Sequence, residues 1–387
     1  MIAWISALAI LVGTASLLVV LSVFNGFEDM VKGLYSDFYA DIKIAPAYGK
    51  RITLSEQQLK QLQHINTVQY VSLAAEEKAV LVNGDYRATV SLKGVDENYQ
   101  RICAIDKHII RGKFQLGTAD KPFIVAGAGV ENAVGLDVLS SLSGVTLYLP
   151  NSNAKTANLE EALNSYNVNP SGSFLIQSEF DNKYVFTNLA FLKYMLDFKP
   201  DEYSYAELNI AGNASVDKVQ QQLKSILGKD YTILTRYQQN QGLFAVMTTE
   251  KWIIYGILSL ILIIASFNMI GALSMLALEK QKDTALLKAM GASSWFIRNI
   301  FLLEGLILSS VGAIAGIALG SLICFIQLQF HVIKLGGATF LIDYYPVKFQ
   351  GTDFLLIFAT IIFIAISASW IPARKAALLQ VSLKGNE

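Results

Sequence analysis

The sequence is poor in charge, in cysteine and in histidine. Only 16% of its 387 residues are charged, whereas 53% are hydrophobic, a balance outside the usual range of a soluble domain. Its two cysteines are Cys103 and Cys324, and since Cys324 falls inside a long apolar run, no disulfide framework is expected. The three histidines, His64, His108 and His331, are scattered and show no metal-ligand spacing. We therefore expect no bound metal and no directly bound cofactor.

The sequence also lacks the motifs of nucleotide chemistry. No Gly-x-x-x-x-Gly-Lys followed by Ser or Thr occurs, so the chain has no phosphate loop and cannot hydrolyse ATP alone. Phe123–Gly129 (FIVAGAG) is similar to the start of a dinucleotide fingerprint, but Asn132 stands at the third glycine position. No nucleophile elbow or zinc motif occurs either. We expect no catalytic residue; a membrane-tethered enzyme is the alternative from another class, because three histidines are available.

Long apolar runs dominate what is present. A hydrocarbon core of about 30 Å needs about 20 helical residues. Four runs meet this length or come close to it: Ile2–Phe27, Trp252–Leu278, Phe301–Phe325 and Phe354–Ile371. The first run is too long for a signal peptide and has no small-residue cleavage site, so we interpret it as an uncleaved anchor. The sequence therefore predicts a membrane protein with four spanning helices.

Basic residues indicate the topology. They concentrate between the second and third runs, at Lys280, Lys282, Lys288 and Arg298, and they recur in the C-terminal tail. Basic residues in short loops favour the cytoplasmic side, so both of these segments and both termini are predicted to be cytoplasmic. The predicted segments are helix 1 at 1–27, an outer domain at 28–251, helix 2 at 252–278, a cytoplasmic helix at 279–295, helix 3 at 296–326, an outer loop at 327–353, helix 4 at 354–371 and a tail at 372–387.

The outer domain combines strand and helix patterns, and it is long enough for two lobes. Asn83-Gly84 between two alternating runs predicts a β-hairpin. Helices are predicted at Ser55–Ile65 and at Ser215–Leu227, where Ser215 is the expected cap and Gly228 the stop. Strands are predicted at 68–73, 79–82, 88–92, 123–125, 146–149, 174–176, 184–187, 206–210 and 231–234. The predicted fold class is an α+β periplasmic domain on a four-helix transmembrane bundle.

A polar stretch, Asn151–Ser173, separates two of these strands. It is longer than a simple connection needs; we interpret it first as a solvated flexible loop, and a partner-binding loop is the alternative. The candidate residues are Asn151, Asn158, Tyr166 and Pro170.

The apolar runs contain a few residues that are not simply lipid-facing. Gly312, Gly316 and Gly320 recur at a spacing of four, which predicts a helix face that another helix can approach closely. Asn268 is expected to hydrogen-bond between helices. Glu304 is an acid at membrane depth, either with a mechanistic role or paired with a basic group near the inner surface.

The most distinctive segment is Leu278–Gly291, LEKQKDTALLKAMG, which joins the second and third runs. Its residues favour a short amphipathic helix, with Leu286 and Met290 on one face and Gly291 as the stop. Such a helix suits docking into a groove of a cytosolic partner; a plain connecting turn is the alternative. The candidate contact residues are Glu279, Lys280, Asp283, Ala285, Leu286, Lys288, Met290 and Gly291.

Several motifs resemble one family. They are LEKQKDTALLKAMGASSWFIRNIFLLEG preceded by SFNMIGALSML, the first-helix ending VVLSVFNGFE, the segment YVFTNLAFLKYML, and PARKAALLQ near the C-terminus. Together they resemble the FtsX/MacB-like permeases of ABC transporters, and among these the LolC/LolE subunits of the lipoprotein-releasing system. The resemblance covers nearly the whole chain.

This resemblance implies a function. Such permeases pair with a second permease subunit, identical or related, on two copies of a cytoplasmic ATPase that holds the ATP and Mg. The predicted cytoplasmic helix at 279–295, which we call the elbow, would be the coupling helix. The permease itself would not be an enzyme. The complex would sit in the cell inner membrane, extract lipoproteins from its outer leaflet and pass them to a periplasmic carrier. The alternatives within the family are an FtsX-like signalling subunit and a MacB-like exporter component; no nucleic acid is expected as a partner.

Overall fold

The computed structural model describes residues 2–138, 144–150, 163–212, 214–334 and 344–378. The chain forms two compact units. The first takes its described residues from Met1–Met30, Ala245–Leu335 and Asp343–Glu387, and the second takes them from Val31–Phe244. We call them the helical unit and the mixed unit.

Twelve α-helices occur within the described residues, together with a 3-10 turn at Ile105–His108. The α-helices are α1 (Ile2–Phe38), α2 (Glu56–Gln63), α3 (Tyr99–Ile102), α4 (Ala128–Val134), α5 (Ser178–Asp181), α6 (Leu189–Met195), α7 (Val216–Leu227), α8 (Arg236–Gln239), α9 (Gln241–Glu279), α10 (Gln281–Ala289), α11 (Ser294–Phe330) and α12 (Gly351–Leu378).

Twelve strands occur in the same described ranges, all of them in the mixed unit. They are β1 (Ile42–Pro46), β2 (Ile52–Thr53), β3 (Val68–Asn83), β4 (Tyr86–Val95), β5 (Ile109–Gly112), β6 (Phe123–Gly127), β7 (Val145–Pro150), β8 (Leu163–Phe174), β9 (Tyr184–Asn188), β10 (Glu202–Tyr203), β11 (Tyr205–Ile210) and β12 (Tyr231–Thr235).

Four helices of the described chain are long and apolar enough to cross a membrane: α1, α9, α11 and α12. Each extends beyond its predicted apolar run. Helix α1 continues to Phe38 instead of stopping at Phe27, and α9 begins at Gln241, eleven positions before Trp252. The apolar run marks only the part that lipid can cover, whereas the helix continues through polar residues of adequate helix propensity.

The helical unit reverses the usual distribution of apolar residues. Large side chains such as Leu8, Ile264 and Phe363 are more than half exposed, as expected for surfaces that face lipid. The interior is a modest apolar cluster shared by the four long helices, with Leu17, Leu18, Leu21, Leu262, Met269, Ile357 and Ile361 among its members. Specific packing in this unit therefore depends on small and polar residues.

The mixed unit is built on one ten-stranded sheet in the order β12-β1-β11-β3-β4-β9-β6-β8-β5, with β7 pairing with both β3 and β8. Most pairs are antiparallel, but β4 with β9 and β6 with β8 are parallel. Two apolar cores form on this sheet. One is closed by α4 and α6, the other by α2 and α7. The predicted α+β class is confirmed.

Several secondary-structure elements predicted for this unit are present, although their bounds or turn residues differ from the prediction. The long hairpin of β3 and β4 is present, but its two turn residues are Gly84 and Asp85, with Gly84 at φ +57°. Ser55 caps α2 in a capping box with Gln58. Ser215 precedes α7, although its side chain makes no capping hydrogen bond.

The prediction of a loop over Asn151–Ser173 is wrong for its second part. Residues Leu163–Phe174 form β8, which lies between β6 and β5 and also pairs with β7. A strand was also predicted at 174–176. This prediction is wrong, because β8 ends at Phe174, where the predicted strand was expected to begin. The Asn- and Ser-rich composition of β8 concealed it, since these residues are depleted in strands.

Candidate functional site

The elbow of the helical unit contains a separate short helix, α10 (Gln281–Ala289). Helix α10 has Lys280 before it and Met290 after it, and Gly291 takes φ +94°, a conformation that glycine adopts without strain. The Ser293 hydroxyl then accepts a hydrogen bond from the Phe296 N–H at 3.2 Å and caps α11. The elbow is therefore a defined helix rather than a plain turn.

One side of α10 carries a buried threonine and a lysine that binds another helix. Thr284 is buried, and its hydroxyl donates to the Lys280 carbonyl at 2.9 Å. The Lys288 ammonium group donates to the Ala377 carbonyl of α12 at 2.8 Å. An apolar cluster of α9, α11 and α12 lies close by and comprises Ala277, Ile297, Phe301, Ala373, Ala376 and Ala377. The Lys288 side chain therefore links α10 to the end of α12.

The other side of α10 presents apolar groups to the surroundings. Leu286 is 65% exposed and Met290 is 70% exposed. We call these two residues the elbow face. Glu279, Lys280 and Asp283 are also exposed, Ala285 is half-buried, and Lys280 pairs with Asp283 at 3.1 Å, an exposed pair that contributes little stability. Apolar groups rimmed by charge are typical of a protein-docking surface.

A groove runs between α1 and α9 within the helical unit. Its volume is about 520 Å³, and it is lined by Ile5, Leu8, Ala9, Val12, Gly13, Ser16, Leu258, Ile261 and Ala265. Ser16 carries the only polar side chain among these lining residues. This size and lining suit an extended apolar group such as an acyl chain.

The three glycines at spacing four lie against α1. A Cβ added at Gly316 would approach the Leu11 carbonyl oxygen to 2.5 Å, and one added at Gly312 would approach the Ala7 carbonyl oxygen to 2.8 Å. The corresponding approach at Gly320, to the Ala15 carbonyl oxygen, is 3.0 Å. These contacts allow the backbones of α1 and α11 to meet closely within one chain.

The two polar residues predicted at membrane depth have different surroundings. Asn268 is exposed, whereas its neighbours Ser266 and Met269 are buried. The interhelical hydrogen bond of Asn268 stays a prediction, because the helical turn carries this residue to the exposed face of α9. Glu304 is half-buried and forms no ion pair within the described ranges. The nearby Arg298 guanidinium instead lies 5.0 Å from the ring centroid of Trp370.

Two of the four partner-loop candidates lie in the sheet. Tyr166 sits opposite Leu147 in the β7–β8 pair, and its ring centroid is 5.0 Å from that of Phe191. Pro170 pairs with Ile124 at the point where the β6–β8 register shifts, a common position for proline in a strand. For Tyr166 and Pro170 the prediction of a loop is wrong. Asn151 and Asn158 lie outside the described residues.

The FIVAGAG segment forms a strand followed by a helix, but its glycines have a packing role. A Cβ at Gly127 would lie 2.2 Å from the Asp181 carbonyl oxygen, and one at Gly129 would lie 1.7 Å from the Asn182 Oδ1. Gly127 is needed because the Asp181 backbone crosses directly over it, whereas the atom nearest to Gly129 is the end of the Asn182 side chain.

A buried charged cluster in the mixed unit was missed by the sequence analysis. The Lys93 ammonium group lies 2.9 Å from the Glu207 carboxylate, and their side chains are 2% and 1% exposed. Lys93 also donates to the Tyr99 hydroxyl at 3.3 Å. The available signal was a charged residue in the middle of each apolar strand, Lys93 in VSLKGV and Glu207 in YAELNI.

A second acid belongs to the same region. Glu76 accepts hydrogen bonds from the Ser91 hydroxyl at 2.6 Å and the Tyr205 hydroxyl at 2.5 Å. Desolvation opposes its charge, but the Lys43 and Lys93 ammonium groups and these hydrogen bonds together hold the pKa of Glu76 below its usual value. The cluster is thus a balanced set of two acids and two bases inside the sheet.

Four helices long and apolar enough to cross a membrane, joined to a large mixed domain, are the architecture of a membrane protein. Family models agree with this division. The MacB-like periplasmic core domain matches residues 3–226, and the FtsX-like permease C-terminal domain matches residues 255–381. The chain therefore belongs to the family of ABC transporter permeases that have a MacB-like periplasmic core domain.

Individual relatives carry more specific names. The Haemophilus influenzae "Lipoprotein-releasing system transmembrane protein LolE" is 27% identical, with 98% of this chain and 93% of that protein covered. A LolC protein of the same system from Neisseria meningitidis serogroup B is 25% identical, with 98% and 92% covered. The crystal structure of the periplasmic region of MacB from Actinobacillus actinomycetemcomitans matches 56% of this chain and 97% of its own, at 13% identity and a TM-score of 0.38.

Proposed function

We propose that this chain is the permease subunit of an ATP-driven ABC complex that extracts lipoproteins from the outer leaflet of the inner membrane and passes them to a periplasmic carrier. The observation that carries the proposal is the apolar groove between α1 and α9. It offers an acyl chain an apolar surface between two helices of the helical unit. The near-full-length likeness to proteins named for lipoprotein release supports the same substrate class.

The energetics favour this assignment. Moving an acyl chain out of lipid costs about 0.8 kcal/mol for each CH₂ that becomes exposed to water. A multiply acylated protein therefore needs both an external energy source and an apolar shelter on the way. The sequence has no phosphate loop, so a separate ATPase subunit would bind ATP and Mg and perform the hydrolysis, and this chain would be non-catalytic.

The elbow would connect ATP hydrolysis by the partner subunit with lipoprotein extraction by this chain. Its face of Leu286 and Met290 would dock into the ATPase, and its opposite side is bound to α12 through Lys288. Closure of the ATPase would then move α10 and the membrane helices together. We propose the same topology as the charge pattern indicates: the inner membrane, four crossings, both termini cytoplasmic and the mixed unit in the periplasm. A second permease subunit, identical or related, would complete the complex.

A signalling role is the second candidate. The Bacillus anthracis "Cell division protein FtsX" is 32% identical over 126 residues, which cover 32% of this chain and 42% of that protein. An FtsX-like subunit would transmit ATP-driven motion to a periplasmic partner without moving a lipid. A MacB-like exporter component would use the same mechanics on another substrate.

A release assay distinguishes these candidates. Inner-membrane vesicles are prepared from cells depleted of the protein and from cells in which it is restored, and each is supplied with ATP and carrier. We expect ATP-dependent release of a labelled lipoprotein to fall at least tenfold on depletion and to return on restoration. Equal release from both kinds of vesicle would contradict the proposal and favour the signalling role.

A further inference from the structure

Two arginines and a tryptophan meet near the start of α11 and the end of α12 in the helical unit. The Arg298 guanidinium of α11 lies 5.0 Å from the ring centroid of Trp370 on α12. Arg374 follows Trp370 by four positions on α12, so the two side chains lie on the same face of that helix. Arg374 is exposed, and Trp370 is 45% exposed. We call these three residues the guanidinium site.

The positive charge of this site has no counter-charge in the part of the chain that the structure describes. Neither Arg298 nor Arg374 forms an ion pair there, and the Arg298 Nε is closed off from solvent without a hydrogen-bond partner. No Asp or Glu occurs in residues 354–378, and the first acid of α11 is Glu304. Glu304 follows Arg298 by six positions, which places it about 120° around the helix. An anion from outside the chain would therefore complete the site.

The shape of the guanidinium group selects the class of anion. A guanidinium group stacks on an aromatic ring through its flat face, whereas its N–H groups point outward in its own plane and match two oxygens of a phosphate. Arg374 lies about 6 Å further along α12 than Trp370, an offset that allows both arginines to contact one phosphate group. The Lys288 ammonium group, which donates to the Ala377 carbonyl at 2.8 Å, adds a third positive charge at this end of α12.

The order of residues along α12 matches the layout of a phospholipid. Phe363 precedes Trp370 by seven positions, so it lies on the same face, and it is 71% exposed. Along this face an apolar side chain is followed by the tryptophan and then by the Arg374 guanidinium. The acyl chains, glycerol backbone and phosphate of a phospholipid follow one another in the same order, and tryptophan favours the level between lipid chains and water. The arrangement therefore favours a lipid phosphate over a free phosphate ion.

We propose that the guanidinium site binds the phosphate group of an anionic phospholipid whose acyl chains lie along the exposed face of α12. The proposed topology puts this end of the helices in the cytoplasmic leaflet. A zwitterionic phospholipid carries an ammonium group that already offsets its phosphate, so it would leave the two guanidinium groups without a net counter-charge. The inference goes beyond the proposed function, because it assigns the protein a preference among the lipids that surround it.

Tryptophan quenching in vesicles tests the site in the full chain. Trp4→Phe, Trp252→Phe and Trp295→Phe leave Trp370 as the single tryptophan, and the protein is reconstituted into phosphatidylcholine vesicles. One set of vesicles contains a minor fraction of phosphatidylglycerol with brominated chains, and the other contains the same fraction of phosphatidylcholine with brominated chains. Bromine quenches tryptophan only at close range, so the ratio of the two quenching constants measures which lipid lies beside Trp370. We expect at least threefold stronger quenching by the phosphatidylglycerol.

Removal of the two arginine charges should abolish this preference. We expect a quenching ratio near one for Arg298→Gln with Arg374→Gln, and an intermediate ratio for Arg374→Gln alone, which alters only an exposed residue. The matched control is Lys282→Gln with Lys375→Gln, since both lysines are exposed and Lys375 lies about 100° around α12 from Arg374. Its ratio should stay close to that of the unaltered site. An equal loss in the control would overturn the site, because general charge attraction would then explain the preference, and an unchanged ratio in the double arginine variant would overturn it directly.

Inorganic phosphate separates the two sources of the same chemical group. Added at constant ionic strength, it should leave the quenching ratio above twofold, because it has no acyl chains to lie along α12. A fall of the ratio to near one would overturn the lipid assignment and give the site to a free phosphate ion. A ratio near one before any addition would overturn the site altogether. The assay contains no ATP, carrier or lipoprotein, so its failure leaves the proposed function standing, and a failed release assay leaves the site standing.

Discussion

The two units bury charge in different ways. In the mixed unit, Lys93 and Glu207 are 2.9 Å apart, both are at most 2% exposed, and the Tyr99 ring lies under the ammonium group at 4.5 Å. In the helical unit, the Lys251 side chain is 22% exposed and lies 3.7 Å from Asp353, with an amide between the charges. The enclosed pair has no route to water and fixes one arrangement of strands. Of Asn25, Lys251 and Asp353, only Lys251 is partly open to water, and a neutral amide lies between the two charges.

The units also differ in where their apolar groups lie. The mixed unit keeps them in two cores on one sheet, whereas the helical unit turns many of them outward. Lipid takes the place of the missing core, so burial of large side chains cannot specify how the helices pack. The close contact of α11 with α1 depends instead on residues that have no side chain.

The largest effect is expected from the enclosed ion pair. Lys93→Met leaves Glu207 buried without its cation, and we expect a loss of about 3–5 kcal/mol in the unfolding free energy. Replacing both residues, with Lys93→Met and Glu207→Leu, should recover most of this loss. Denaturant unfolding of the full chain in detergent measures it. Lys50→Met is the control, because Lys50 is 79% exposed and its pair with Glu77 should contribute under about 1 kcal/mol. Similar losses of unfolding free energy for Lys93→Met and Lys50→Met would contradict the expected difference between a buried and an exposed ion pair.

A smaller effect is expected from a buried acid in the mixed unit. Burial raises the pKa of Asp181 to about 6, although its carboxylate accepts the Ile176 N–H at 2.9 Å. Because the folded pKa exceeds the unfolded one, the stabilisation is complete below about pH 4 and is lost as pH rises through 6. Asp181→Asn should remove about 2–3 kcal/mol of this pH dependence. Melting curves from pH 4 to 7 measure this pH dependence. The same pH dependence in the native chain and in the Asp181→Asn variant would contradict the raised pKa of Asp181.

A still smaller effect is expected from the glycine face. Gly316→Ala forces the new methyl group towards the Leu11 carbonyl and the Thr14 Cβ, at 2.5 and 2.7 Å, and should cost about 1–2 kcal/mol. Gly271→Ala is the matched control, because a Cβ there meets nothing within 4 Å. Thermal unfolding in detergent compares the two. A Gly316→Ala protein as stable as the control would show that lipid contacts, not helix contacts, hold α11 in place.

The sequence predicted most of what depends on local pattern. The apolar runs located four long helices, Asn83-Gly84 located the hairpin to within one residue, and the α10 elbow follows from LEKQKDTALLKAMG. Features that depend on distant partners escaped prediction. Asn25 lies 226 positions from Lys251 and 328 positions from Asp353. No periodicity relates these residues. The same holds for Lys93 and Glu207, which meet only because β3 carries β4 on one side and β11 on the other.

Asn268 shows a different limit. Its sequence position places it at membrane depth, but only the packing of α9 decides which face it occupies, and that face is exposed within this chain. Strand β8 shows a third limit, since its polar residues fit a loop as well as a strand until β6 and β7 pair with it.

The most direct test of the account is ATP-dependent lipoprotein release by a chain with an altered elbow face. Leu286→Asp with Met290→Asp places charge on the exposed apolar side of α10, away from Thr284 and Lys288. Gln281→Asp is the control, because it adds charge in the first turn of the same helix, where the dipole favours it. Vesicles carrying the double variant should insert the protein normally and release labelled lipoprotein at under a tenth of the native rate, while the control stays within twofold. Native release by the double variant would contradict the coupling of this permease to an ATPase through its elbow.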